Sequence, residues 1–246
     1  MTVGKIAVVI PTYNESENIG ALLDRLDEVL SPLSGLTHFL VVDDMSADGT
    51  AEIVLERQRR NPRIHLLSGR RAGLGAAYVR GLGYALDQFA PDVVIHMDAD
   101  FSHSPRDIPR LLDAVTAGAD LAIGSRYAGA NPMSDNRCWK RRCLSQAGSL
   151  LARYWLGLRP VMDCTAGFRA WRADTLRGID LGTILAHGYV INVAMLHRAF
   201  ERGARVTEVP VVFRDRTRGM SKLGWTDMVE FARWTFASTP LYWRKR

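Results

Sequence analysis

Short runs of β-branched and aliphatic residues alternate, through the first half of the chain, with longer stretches whose apolar positions recur every three to four residues. A strand covered on both faces reads as a continuous apolar run and an amphipathic helix as a 3.6-residue period, so the alternation predicts parallel strands joined by helical crossovers. Strands are expected at residues 6–10, 39–42, 64–67, 93–97 and 121–123, and helices at 16–30, 50–60, 74–89 and 106–117. Asp48-Gly49-Thr50 and Ser104-Pro105 supply helix-start chemistry, the second with proline at the first helical position. Over 126–137 the pattern dissolves into Gly, Asn, Pro, Ser and Asp, the composition of a loop. Beyond it, 144–156 and 189–202 read as helices and 166–171 and 206–213 as strands. A last helix at 226–237 carries Met228, Val229, Ala232 and Phe236 on one side.

A chain of 246 residues is long enough for one large domain with a substantial core. No apolar run approaches the roughly 20 residues that a membrane-spanning helix needs, and Met1-Thr2-Val3-Gly4-Lys5 leads into the first strand without a secretory signal pattern. Cys138, Cys143 and Cys164 have neither metal-ligand spacing nor a disulfide framework, which suits a reducing cytosol. The net charge of +6 points to an anionic partner, and its densest clusters, 137–142, 214–222 and 244–246, all lie in the C-terminal half. With Trp225, Trp234, Tyr242, Trp243 and a basic end, the last helix fits a membrane interface, and simple packing onto the domain is the alternative.

The stretch Val94-Ile95-His96-Met97-Asp98-Ala99-Asp100 delivers two carboxylates to the end of an expected strand, a pattern that can hold a divalent cation and, through it, a diphosphate. The spacing alone decides little, because about one Asp-x-Asp arises by accident in a chain of ordinary composition and this size. Two further strand ends are polar: Pro11-Thr12-Tyr13-Asn14-Glu15 and Asp43-Asp44. Ligands of open α/β sheets bind outside the carboxyl ends of the strands, so the three clusters are expected to face one crevice. There Tyr13 could stack on a base and Glu15 or Asp44 could accept hydrogen bonds from base or ribose, whereas a helix cap at Asn14 or Ser16 is the plainer role. His96, inside the strand, reads as a packed histidine; Gly73-Leu74-Gly75 reads as a tight turn into a helix near phosphate.

Taken in order, Val9-Ile10-Pro11-Thr12-Tyr13-Asn14-Glu15, Val41-Val42-Asp43-Asp44, Gly73-Leu74-Gly75-Ala76-Ala77-Tyr78 and Met97-Asp98-Ala99-Asp100-Phe101-Ser102-His103 resemble glycosyltransferase family 2, a GT-A fold. Gly124-Ser125-Arg126-Tyr127, Asp163-Cys164-Thr165-Ala166-Gly167-Phe168-Arg169 and Ser221-Lys222-Leu223-Gly224 narrow the resemblance to the polyprenol-phosphate mannose synthases, across residues 5–224. It implies a Rossmann-like α/β fold with a mostly parallel central sheet, a catalytic domain at 1–224 and an interfacial helix with basic tail at 225–246. It also implies a GDP-mannose donor, a polyprenyl monophosphate acceptor and Mg2+ or Mn2+. Carried over by motif, Pro11, Tyr13, Glu15, Val42 and Asp44 line the nucleoside pocket, while Asp98, Ala99 and Asp100 handle nucleotide sugar and metal. Arg126, Arg141 and Ser145 match positions that bind the lipid phosphate; Arg216 and Lys222 match positions that reach the donor diphosphate.

Some relatives place Gln where Ser102 stands, and many carry Gln and Glu in place of Asn192 and Ala194, so water completing the metal shell and glucose as an alternative sugar both stay open. Asp163 is expected either to bind a sugar hydroxyl or to organise its turn, and residues 137–142 could instead form a solvated basic loop. A phosphate monoester is already anionic at neutral pH, so no general base is expected; inversion at the anomeric carbon is. The expected location is the cytosolic face of a membrane, with an integral anchoring protein as a partner and no nucleic acid, whose backbone the acidic strand ends would repel. A processive polysaccharide synthase is disfavoured, because Glu230-Phe231-Ala232-Arg233-Trp234 only partly resembles the Gln-x-x-Arg-Trp signal of such enzymes.

Overall fold

A computed structural model describes residues 4–33, 35–129, 139–184, 188, 190–213 and 225–238, with the side chains of 139–143 and 225–229 outside the description. The chain runs β1 (Lys5–Thr12), α1 (Ser16–Leu30), β2 (Leu36–Asp43), α2 (Thr50–Arg60), β3 (Ile64–Ser68), α3 (Leu74–Phe89) and β4 (Val93–His96). A 3-10 turn (Pro105–Asp107) then leads into α4 (Ile108–Thr116), β5 (Leu121–Ser125), α5 (Trp139–Trp155), β6 (Arg169–Arg172) and α6 (Ala173–Gly178). After a second 3-10 turn (Leu181–Thr183) come α7 (Val190–Glu201), β7 (Val206–Pro210) and α8 (Trp225–Ala237). Among the described residues the strands form one sheet in the order β3-β2-β1-β4-β6-β5-β7. Every neighbouring pair is parallel except those made by β6, which runs antiparallel to both β4 and β5.

The alternation along β1 shows how the sheet is covered. Ile6, Val8 and Ile10 face α1, α2 and α4, while Ala7 and Val9 face α3, α5 and α7. Helix α1 buries Ile19, Leu22, Leu23, Leu26 and Leu30, a single 3.6-period stripe, and each such side chain taken fully from water stabilises the fold by about 1.5–3 kcal/mol. On the other face α3 comes unusually close: a Cβ on Gly81 would lie 2.5 Å from Val42 Cγ2 and 2.8 Å from Val9 Cγ1. Its start needs glycine for a different reason, since Gly73 has φ +88°.

Several boundaries differ from those expected. The helix expected at 106–117 divides into a 3-10 turn and α4, the turn opening on Pro105. Strand β6 starts at Arg169 rather than residue 166, because the carbonyls of Cys164 and Ala166 accept from the Arg169 guanidinium instead of joining the ladder. The expected strand 206–213 ends at Pro210, the expected strand 93–97 ends at His96, and α5 begins at Trp139 rather than residue 144. The six-residue α6 was not expected. On α8 the side proposed as one apolar face divides: Ala232 lines the central cavity, whereas Phe236 is 56% exposed and packs edge-on against Trp155.

One topological fact positions the site. Because β6 is reversed, the segment before it, 163–168, emerges at the same sheet edge as the segments after β4 and β5.

Candidate active site

Pro11 pairs in register with Val42, Thr12 with Asp43, and Val9 with His96, so the carboxyl ends of β1, β2 and β4 lie side by side. The acids gathered there have different employment. Asp43 is buried and organises its loop, accepting from Thr12 Oγ1 (2.9 Å), the Ser46 N–H (2.9 Å) and Ser46 Oγ (2.6 Å). Asp44, also buried, is paired with Arg80 Nη2 of α3 at 2.7 Å. Glu15 accepts from Asn18 Nδ2 at 2.9 Å, and its N–H donates to Thr50 Oγ1 at 2.9 Å. Burial would raise the Asp48 carboxyl, but hydrogen bonds from Thr50 and Ser16 hold it down at about 2. Over the Tyr13 ring lies the guanidinium of Arg71, 3.9 Å from the centroid and bonded to the phenol oxygen at 3.0 Å, a cation–π contact that sets a cation beside the candidate base-stacking ring.

Beyond β4 the chain carries Asp98, buried Ala99 and buried Asp100 into the crevice. Asp98 Oδ1 lies 3.4 Å from the Tyr78 hydroxyl, and the Asp98 N–H donates to His103 Nδ1 at 3.3 Å, which leaves the proton of a neutral His103 on Nε2. Asp100 Oδ1 accepts the Ser102 N–H at 3.0 Å. His96 is fully buried against the Tyr78 ring; burial first, then Arg169 and His103, hold it neutral with a pKa well below the ordinary histidine value.

Arg126, just past β5, is gripped on three sides. Asp163 Oδ2 accepts from its backbone N–H (3.0 Å) and Nε (2.8 Å), and Asp163 Oδ1 accepts from Nη2 at 2.7 Å. Nη2 also reaches Ser145 Oγ at 2.7 Å and Thr165 Oγ1 at 2.9 Å, and these two hydroxyls lie 2.7 Å apart. Burial alone would lower the arginine's pKa, but the Asp163 charge and hydrogen bonds reverse that; the same partner holds the fully buried Asp163 carboxyl below its usual range. Glu208 of β7 in turn accepts the N–H groups of Met162 (2.7 Å) and Asp163 (2.9 Å). Of the two roles expected for Asp163, organiser is therefore the one its contacts describe. Because the carboxylate balances the guanidinium, an anion meets a rigid set of donors here rather than a bare positive charge.

Asp98, His103, Arg126, Ser145 and Thr165 share one cavity of about 270 Å³. Its other walls are largely apolar, with Leu144, Ala147 and Leu151 from α5, Val190 from α7, and Phe231 from α8. Of the remaining expected residues, Arg141 belongs to α5 but its side chain lies outside the described residues, as do Arg216 and Lys222 entirely.

Residues 7–177 match the sequence profile of Glycosyl transferase family 2. The chain belongs to glycosyltransferase family 2. This glycosyltransferase is 41% identical over 225 residues to the polyprenol monophosphomannose synthase of Mycolicibacterium smegmatis, covering 91% of this chain and 82% of that one. It is 43% identical over 220 residues to the undecaprenyl-phosphate mannosyltransferase of Micrococcus luteus, covering 89% and 87%. Among solved structures it is similar to glucosyl-3-phosphoglycerate synthase from Mycobacterium tuberculosis in complex with Mn2+, UDP and phosphoglyceric acid, with a TM-score of 0.67 and 21% identity over 95% of this chain and 76% of that one. The shared architecture is the expected GT-A fold.

The chemistry of two carboxylates fits a hard divalent cation, the ligand type that Mg2+ and Mn2+ favour: Asp98 lines the cavity, and Asp100, two residues on, is buried. Among the described residues no group of three or more His, Cys, Asp or Glu side chains is placed to hold a metal.

Sequence reasoning missed Arg71, Arg80, Thr165 and Glu208 as parts of the site. Thr165 lay inside a stretch already singled out, 163–169, and its hydroxyl beside an acid was a usable signal. Arg71, Arg80 and Glu208 reach the site only through the packing of the α3 region and β7, which no local pattern announces.

Proposed function

We propose that this enzyme transfers mannose from GDP-mannose to a polyprenyl monophosphate, releasing GDP and a polyprenyl-phosphate β-mannose. The observation that carries the reading is the single cavity in which Asp98, the Arg126–Ser145–Thr165 cluster and an apolar wall from α5, α7 and α8 meet. A lipid phosphate has both chemistries: its head needs fixed donors and its chain needs apolar surface. The two relatives, a polyprenol monophosphomannose synthase and an undecaprenyl-phosphate mannosyltransferase, support the same acceptor class.

In this reading the acceptor phosphate rests on Ser145, Thr165 and the edge of Arg126, with Arg141 adding a second cation. Its anionic oxygen attacks the anomeric carbon, the bond from that carbon to the diphosphate breaks, and the electron pair leaves on GDP. Asp98 and Asp100 would hold a divalent ion, which when bound would neutralise charge on the departing diphosphate, an effect worth several kcal/mol. By family motif, Arg216 and Lys222 assist that departure. Because Arg126 is already oriented by Asp163, the chain's own contribution to the acceptor step is positioning, and no residue has to remove a proton. Attack from the face opposite the leaving group inverts the centre.

The enzyme is read as peripheral to the cytosolic face of a membrane, with residues 225–246 at the interface and an integral partner as anchor. Among the described residues no helix is long and apolar enough to cross a membrane. Exposed Leu150 and Tyr154 on α5 and Phe236 on α8 support the interfacial placement. The test is transfer of labelled sugar from GDP-mannose, UDP-glucose and UDP-N-acetylglucosamine to a short polyprenyl phosphate, with and without Mn2+. The reading expects metal-dependent β-linked mannose; transfer from a uridine donor alone overturns the donor, and an α-linked product overturns the mechanism.

A further inference from the structure

Residues 162–168, between α5 and β6, belong to no helix or strand, yet they carry Asp163 and Thr165 of the Arg126 cluster. Two charged side chains hold them in place of a ladder. Arg169, fully buried, donates Nε to the Ala166 carbonyl and Nη2 to the Cys164 carbonyl, both at 2.8 Å, and fixes the later part of the segment. Glu208 fixes its start: Oε2 accepts the Met162 N–H at 2.7 Å and Oε1 the Asp163 N–H at 2.9 Å. Neither N–H has another acceptor among the described residues, so a side chain without acceptors at position 208 would leave a backbone donor orphaned at the fully buried Asp163.

The contact closes a ring. Glu208 sits on β7 in register with Ile123 of β5, and β5 leads directly to Arg126. From Arg126 the path runs through the Asp163 carboxylate to the Asp163 N–H, on to the Glu208 carboxylate and back to the sheet. Asp163 grips the planar guanidinium at both Nε and Nη2, which sets the plane of the group, and Ser145 Oγ and Thr165 Oγ1 both accept from the same Nη2. Where the cluster stands is therefore decided by where Asp163 stands, and Asp163 stands where Glu208 holds it.

We infer that Glu208 is a positioning residue for the acceptor phosphate, acting through Asp163 and Arg126. The inference rests on the reading of the Arg126 cluster as the acceptor-phosphate site. Arg126, Ser145 and Thr165 line the cavity and Glu208 does not. Donors fixed before binding hold an anion at lower cost than donors that must be ordered by it. A carboxylate suits the task because both of its oxygens only accept, whereas an amide of the same shape sets a donor against one of the two N–H groups. The strand ends of β1, β2 and β4 lie outside the ring, so loss of Glu208 reaches the acceptor and spares the nucleotide donor.

The test is steady-state kinetics with GDP-mannose, Mn2+ and a short polyprenyl phosphate, each substrate varied independently, for the wild type and Glu208→Gln. Glutamine keeps the shape and pairs only one of the two amides. The Michaelis constant for polyprenyl phosphate should rise about threefold to tenfold, as loss of one hydrogen bond predicts, with that for GDP-mannose held within about twofold. A purely structural role would instead lower kcat through loss of active enzyme and leave both constants alone. That result, a rise shared by donor and acceptor, or no change at all overturns the inference. Glu208→Asp, which keeps the charge but falls one methylene short of both amides, decides by the same split if the glutamine variant does not fold. A wild type that transfers sugar to no polyprenyl phosphate overturns the acceptor reading itself; a wild type that does, beside a variant without the split, overturns this inference alone.

Discussion

Along β1, β2 and β4 the polar residues of the pocket follow their own strands directly, whereas Arg126 draws its partners from residues 19, 37 and 39 positions away. Parallel strands deliver their carboxyl ends to one edge, so Pro11, Asp44 and Asp98 meet by topology alone. The half proposed to hold the acceptor, as against the donor half proposed at β1, β2 and β4, depends instead on the reversal of β6, which returns 163–168 to that edge, and on α5 lying across it. The donor half therefore presents acids with a partly open surround, and the acceptor half a closed, internally neutral network. On the proposed reading, a site of this kind would hold a charged donor through a metal and a charged acceptor through fixed donors, without building a large net charge of its own.

The largest effect should come from the donor half. Asp100→Ala removes one of the two proposed metal carboxylates and is expected to lower transfer by about a thousandfold or more, measured as initial rates over a range of Mn2+ concentration. Retention of full activity would remove the pair from the mechanism. Asp163→Asn tests the closed half, because it leaves the Arg126 charge buried without its counter-ion. A loss of about 3–5 kcal/mol in urea unfolding is expected, against about 1 kcal/mol or less for Asp44→Asn, whose Arg80 partner is 27% exposed. Equal losses would erase the contrast between the halves.

A smaller effect separates burial from function beneath both halves. His96 is held neutral in the folded protein with its pKa well below 6.5, and in the unfolded chain it takes up a proton as pH falls through about 6.5. Its contribution to stability is therefore full above that value and declines below it, by up to about 1.4 kcal/mol per pH unit. His96→Phe should give a shallower fall in unfolding free energy between pH 7.5 and pH 5 than the wild type. His38 and His65, also lowered chiefly by burial, leave a residual slope in both proteins. An unchanged slope would mean that His96 is not the group being titrated.

The difference between the halves also decides what was legible in the sequence. Strand ends followed by acids can be seen in a linear pattern, and Asp98, Asp100, Asp44 and Tyr13 are legible in it. Arg126 and Ser145 came from family motifs, but their bond to each other, and the use of Asp163 as the counter-ion, required knowing that β6 is antiparallel. Nothing in the local pattern at 166–171 signals that reversal, since a buried strand reads the same in either direction. Arg169 was visible as a charged residue in an apolar run, yet its role as a clamp on backbone carbonyls is a property of the folded loop. Asn192 stood out only as a departure from family pattern; that its Oδ1 is buried without a hydrogen-bond partner among the described residues is a fact of packing.

Division of labour between the two halves is tested most directly by the steady-state kinetics of Ser145→Ala, with donor and acceptor varied independently. Removing one hydroxyl from the Arg126 cluster leaves the Arg126–Asp163 pair in place, so the variant keeps its charge balance. The Michaelis constant for polyprenyl phosphate should rise about threefold to tenfold, as expected for one hydrogen bond, while that for GDP-mannose stays unchanged. A rise confined to the donor, or shared equally by donor and acceptor, would contradict the assignment of Arg126, Ser145 and Thr165 to the lipid phosphate.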